Sequence, residues 1–169
     1  MGAKLGTMFS IGDRVVYPGY GVGQVNSIEE KDLSGRKELF LVLAFTDTEN
    51  VSKVMIPNSS IEGVGLRQPS SAKVVKEAFE FLKNGVPESF ATWKDRFTAH
   101  TVMVAKGDLI SIARVLKSLY MQNLKKPLSF REKKMYQRCL LLMSSEAALV
   151  KNTPRPKIET EIQAALEGK

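Results

Sequence analysis

Arg67-Gln-Pro-Ser-Ser-Ala-Lys-Val-Val-Lys-Glu-Ala-Phe-Glu-Phe-Leu-Lys-Asn-Gly85 decides the fold, because the periodicity of the chain changes inside it. Ser71 offers a hydroxyl to a helix start, Val74, Val75, Ala78, Phe79 and Leu82 recur at helical spacing, and Gly85 ends the run. Upstream of Pro69 the signals are short β runs: Arg14-Val-Val-Tyr17, Gly23-Gln-Val-Asn-Ser-Ile28, Glu38-Leu-Phe-Leu-Val-Leu-Ala-Phe45 and Val51-Ser-Lys-Val-Met-Ile56. Pro18-Gly19, Ser34-Gly35 and Thr46-Asp-Thr-Glu-Asn50 punctuate them. Short strands packed so closely along the chain predict a small, strongly bent antiparallel β-barrel of SH3 or Tudor type.

Downstream the helical period persists. Thr92 opens a second helix that reaches Gly107, and Asp108 caps a third with Leu109, Ile112, Ala113, Leu116, Leu119 and Tyr120 on its inner face. Ser129 with Glu132 forms a capping box for the longest helix, and Ile158, Ile162, Ala165 and Leu166 pattern the last. The predicted class is therefore α+β: the barrel over residues 8–68, then an all-α bundle of about five helices over 69–169. Residues 1–7, small and polar ahead of Met8, are expected to be a disordered leader or a tag.

A 43% hydrophobic share over 169 residues is enough for a real core. The single Cys139 cannot close an internal disulfide, and no charged leader with an apolar run follows the start, so a reducing cytoplasm is expected. No apolar run approaches the length of a membrane span. His100 is the sole histidine and has no cysteine at ligand spacing, so neither a metal nor a cofactor is expected. A catalytic triad would rest on His100 alone, and no enzyme is expected.

Charge divides the chain near the same point as the periodicity. Ahead of Pro69 there are seven basic and eight acidic residues, net −1; from Pro69 on there are eighteen and ten, net +8. A basic distal half suits a polyanion, nucleic acid ahead of membrane, although a solvated cationic surface would look the same. Lys125, Lys126, Arg131, Lys133, Lys134 and Arg138 against Glu132 give +5 across fourteen residues at a helix start. Trp93, the only tryptophan, follows Thr92 at another helix start with Lys94 and Arg96 beside it. Spacing leaves open whether it projects to stack on bases or folds back into the core. Asp95 stands where a carboxylate reaches back to a capping threonine.

Gly19-Tyr-Gly-Val-Gly23 lacks the spacing and the following helix of a phosphate-binding loop, so these glycines are expected to serve a tight turn and strand curvature. Pro57 closes the Met55-Ile-Pro57 strand end, an edge position at which another protein's strand can add.

Taken together, Phe9-Ser-Ile-Gly-Asp-Arg-Val-Val-Tyr-Pro-Gly-Tyr-Gly-Val-Gly23, Met55-Ile-Pro57, Val64-Gly-Leu-Arg67, Thr92-Trp-Lys-Asp-Arg-Phe97 and Leu128-Ser-Phe-Arg-Glu-Lys-Lys-Met135 closely resemble the CarD/CdnL family of bacterial transcription regulators, over nearly the whole chain. The resemblance implies a Tudor-like domain that binds the β subunit of bacterial RNA polymerase and a helical domain that meets promoter DNA without sequence specificity and stabilises the open complex. By the same resemblance, Leu43, Lys53, Met55 and Pro57 are expected on the polymerase-contacting face. Trp93 is expected to wedge into the minor groove at the upstream edge of the bubble, with Lys94, Arg96, Arg131, Lys133 and Lys134 near the DNA backbone. Many relatives carry arginine where this chain has Asp95, so one phosphate interaction is expected to be missing. The implied protein is a monomer, cytoplasmic and associated with the nucleoid. The alternative from a different class is a Tudor-like interaction adapter with no direct role on DNA.

Overall fold

A computed structural model describes residues 7–45 and 52–169. The expected leader, apart from Thr7, and the turn at Thr46–Asn50 with Val51 lie outside the described residues. The chain divides into two compact units, residues 1–17 with 22–68, and residues 18–21 with 69–169.

The first unit is built on one sheet in the order β1 (Arg14–Tyr17), β2 (Gly21–Leu33), β3 (Arg36–Phe45) and β4 (Ser52–Pro57). β2 and β3 are longer than their apolar runs predict, because they continue past Ile28 as a polar hairpin that turns at Ser34 and Gly35. Between Val25 and Ser27 the β2–β3 register slips by one residue. This bulge lets Val25 and Ile28, three apart, both face the core, and it adds the bend that curls the sheet. Gly23 is required by contact: a Cβ there would lie 2.8 Å from the Phe45 ring. Gly19 and Gly21 hold φ of 84° and 100°, left-handed geometry open to glycine at little cost.

Phe9, Val15, Val25, Leu41, Leu43, Phe45, Ile56, Ile61 and Leu66 form the core of this half-barrel. Its far end carries a 3-10 turn (Asn58–Ser60) and a one-turn helix α1 (Ile61–Val64), and Val16 bridges to Arg67. No periodicity announces α1, which is too short to show one.

The second unit holds α2 (Ala72–Asn84), α3 (Trp93–Lys106), α4 (Leu109–Lys125), α5 (Phe130–Lys151) and α6 (Arg155–Leu166). The fold class is thus α+β, a curved antiparallel sheet followed by a helical bundle. Ser71, Thr92, Asp108 and Ser129 each accept a hydrogen bond from a first-turn backbone N–H of the helix they precede. α4 is central and packs against α2, α3 and α5, while α6 closes the bundle against α5 and α2. Leu82, Leu109, Leu116, Leu119, Met143, Ile158 and Ile162 are wholly enclosed.

Two buried charged groups of the bundle hold the two ends of α2. Lys117 donates to the Leu82 carbonyl at 2.7 Å, a cation at the last turn of α2, and burial pushes its ammonium below the usual lysine range. Glu146 accepts from both the backbone N–H and the hydroxyl of Ser70, at 2.8 and 2.7 Å, and anchors the chain entering α2. Cys139 is buried, and its thiol is pushed up to about 12, so it stays protonated. α3 is the peripheral helix: its one buried residue is His100.

Candidate functional site

Two surfaces collect the residues singled out above. On the first unit, antiparallel pairing sets Phe40 opposite Pro57, Val42 opposite Met55 and Ala44 opposite Lys53. Residues directly opposite share a face, so these six lie on the face of the sheet away from its core, with Val42 itself covered there. Leu43 pairs with Val54 and points the other way.

Leu43 therefore does not lie on the expected polymerase-contacting face. It has no exposed surface, and it supports β4 from inside the core. Met55 is 40% exposed, Lys53 is exposed and Pro57 half-buried. The Lys31 ammonium joins them from β2, 5.8 Å from the centre of the Phe40 ring and 3.7 Å from Met55 Sδ. β4 is an edge, paired only with β3 among the described residues.

On the second unit, two helix starts repeat one four-residue pattern. Thr92-Trp-Lys-Asp95 opens α3 and Ser129-Phe-Arg-Glu132 opens α5: a capping hydroxyl, an aromatic, a cation and an acid. Each is a capping box. The Asp95 N–H donates to Thr92 Oγ1 at 3.1 Å and the Thr92 hydroxyl donates to Asp95 Oδ2 at 2.9 Å; the Glu132 N–H donates to Ser129 Oγ at 3.2 Å. Asp95 is thereby committed to its own helix end.

The aromatics that follow the caps project into solvent. Trp93 is 58% exposed and Phe130 72%, so the choice left open by spacing falls to the projecting tryptophan. Lys94, Arg131, Lys133 and Lys134 are exposed around them, and the Lys134 ammonium lies 4.6 Å from the centre of the Phe130 ring. Phe130 is hidden in the sequence by the basic run around it. The signal that finds it is the repeated cap–aromatic–cation–acid pattern.

Arg96 differs from the other cations. Its Nε donates to Glu132 Oε1 at 2.8 Å, and the two side chains are only 14% and 5% exposed. Glu132 thus serves two ends at once, its own capping box through Oε2 and the ion pair with α3 through Oε1. The pair holds the two helix starts together. One turn further along α3, His100 is pushed down to about 4 by burial, with the Arg96 charge adding to the effect and Glu132 opposing it. Its imidazole is neutral at physiological pH.

Among the described residues no group of three or more His, Cys, Asp or Glu could hold a metal ion, and no helix is long and apolar enough to cross a membrane. Residues 9–68 match the family model described as CarD-like/TRCF RID domain, and residues 77–163, just over half of the chain, match that of the CarD C-terminal domain. The chain is also similar to the Bacillus subtilis (strain 168) protein named "Putative transcription factor YdeB", 29% identical over 153 residues that span 90% of this chain and 99% of the relative. With both domain models matched in order along one chain, this protein belongs to the CarD family.

Proposed function

We propose that the chain is a transcription regulator that binds the β subunit of bacterial RNA polymerase through the half-barrel and stabilises the promoter open complex through α3 and α5. The observation that carries this reading is the exposed Trp93 at the first position of α3, next to Lys94, on a helix start that the Arg96–Glu132 pair ties to the start of α5 with its exposed Arg131, Lys133 and Lys134. An exposed aromatic amid cations suits a duplex whose bases are partly unstacked, where the ring fills the gap and the cations meet phosphates.

Lys53, Met55 and Pro57 with Phe40 form the docking face on the polymerase, and the free edge of β4 accepts a partner strand. Docking brings the helical unit to the promoter at high effective concentration, so weak intrinsic DNA affinity suffices. Trp93 then offsets an unstacking cost of a few kcal/mol. Stabilising the open state by about 1.4 kcal/mol shifts the closed-to-open equilibrium tenfold, within reach of one buried aromatic. None of these contacts reads base edges, so specificity is confined to deformability and position on the promoter.

The docking half is tested by capture of the polymerase β lobe. Met55→Glu with Lys53→Glu is expected to abolish capture by a folded protein. Undiminished capture would remove this face from the interface, and capture with no effect on promoter opening would leave an adapter without a role on DNA.

A further inference from the structure

Phe130 is the most exposed aromatic side chain among the described residues, 72% against 58% for Trp93, and the proposed function gives it no role. Packing does not account for it either. Leu128, on the other side of the Ser129 cap, is the apolar residue that anchors this helix start in the bundle core.

The surroundings of the ring select a polyanion. Between Lys125 and Arg138 the only acid is Glu132, and both of its oxygens are taken, Oε1 by Arg96 and Oε2 by the Ser129 hydroxyl. The exposed Lys125, Lys126, Arg131, Lys133 and Lys134 therefore find no free carboxylate in their own segment. Lys134, one turn along α5, holds its ammonium 4.6 Å from the centre of the Phe130 ring and leaves the rest of the ring to solvent. An aromatic plate amid cations is the composition that holds unpaired nucleic acid, where the cations track phosphates and the ring stacks on a base. A closed duplex offers such a plate little, because its bases already stack on one another.

The position of the ring is fixed by the buried Arg96–Glu132 pair, which ties the start of α5 to that of α3. Trp93 lies three residues before Arg96 and Phe130 two before Glu132, so each aromatic stands within one helical turn of the pair. We propose that Phe130 is a second platform for nucleic acid, stacking on an unpaired base of the melted promoter while Trp93 fills the edge of the bubble. This rests on the proposed action at the open complex. Every base has a π face, so the contact is indifferent to base identity.

The probe is 2-aminopurine, a fluorescent base that brightens on unstacking and dims when an aromatic ring stacks on it. It is placed in turn at each position of the upstream half of the bubble, in open complexes formed with polymerase and the full chain. The parent is expected to dim one position. Phe130→Leu is expected to lose that dimming and to cut the gain in open-complex lifetime by about fivefold or more, while Phe130→Trp keeps both. Trp93→Ala is expected to shorten the lifetime yet keep the dimming. Unfolding temperatures equal to the parent's show that neither change at Phe130 disturbs the fold. Dimming at no position that depends on Phe130, or a lifetime that Phe130→Leu leaves at the parent's value, would overturn the proposal. Phe130→Leu that weakens capture of the polymerase β lobe would also overturn it and place the ring against protein. A parent that docks but neither dims a base nor prolongs the open complex would overturn the proposed function along with it, which separates the two failures.

Discussion

Arg96 on α3 and Glu132 on α5 lie 36 residues apart in sequence and 2.8 Å apart in space, Nε to Oε1, and they join the start of the outermost helix to the start of the longest. With 14% and 5% of the two side chains exposed, the pair behaves as a buried one, whose partners are each costly to strand. Arg96→Met or Glu132→Met alone is expected to destabilise the bundle by about 3 kcal/mol, whereas the two substitutions together recover most of the loss. Urea unfolding of the four proteins measures the coupling; additive losses would show the pair to be inert.

Leu43 and Met55 separate the inside of the sheet from its outside. Leu43→Ala leaves a hole in the half-barrel core and is expected to cost about 2–5 kcal/mol of stability. Met55→Glu, at an exposed position, is expected to stay within about 0.5 kcal/mol of the parent. Thermal unfolding distinguishes them, and equal losses would contradict the register of β3 on β4.

How much of this was legible in the sequence follows from the range of each interaction. The helix starts at Ser71, Thr92, Asp108 and Ser129 could be read directly, because a cap and its N–H lie within four residues. The facing of Leu43 could not. Alternation along β3 groups Leu41, Leu43 and Phe45, but only the register on β4 puts Met55 opposite Val42 and so on the other face from Leu43. The commitment of Arg96 to Glu132 was hidden for the same reason. Both residues sit in basic segments, and only the packing of α3 beside α5 makes them partners.

His100 makes the stability of the bundle depend on pH. Its folded value of about 4 lies below the ordinary 6.5, so the unfolded chain binds the proton more readily. The contribution is fully present above pH 6.5 and is lost as the pH falls toward 4. His100→Phe is expected to flatten the decline between pH 6.5 and 5, ahead of the ordinary titration of carboxylates. Identical profiles for the two proteins in that window would contradict the buried neutral imidazole.

The cations at the start of α5 have a distinct signature in salt. Arg131, Lys133 and Lys134 are exposed, and each side chain that ceases to neutralise a phosphate of the duplex is expected to lower the slope of log affinity against log salt by about 0.9. The triple change to glutamine should therefore flatten the salt dependence without altering sequence preference. An unchanged slope would remove this patch from the DNA interface. Arg96→Gln should leave the slope intact, since that guanidinium already serves Glu132.

The lifetime of the promoter open complex is the most direct test of the central claim. It is to be compared with a matching bacterial polymerase alone, with the protein, and with Trp93→Ala. The account predicts a longer lifetime with the protein and loss of about tenfold of that gain in the variant, the scale of one aromatic's 1.4 kcal/mol. A variant that docks on polymerase and prolongs the open state as well as the parent would contradict it.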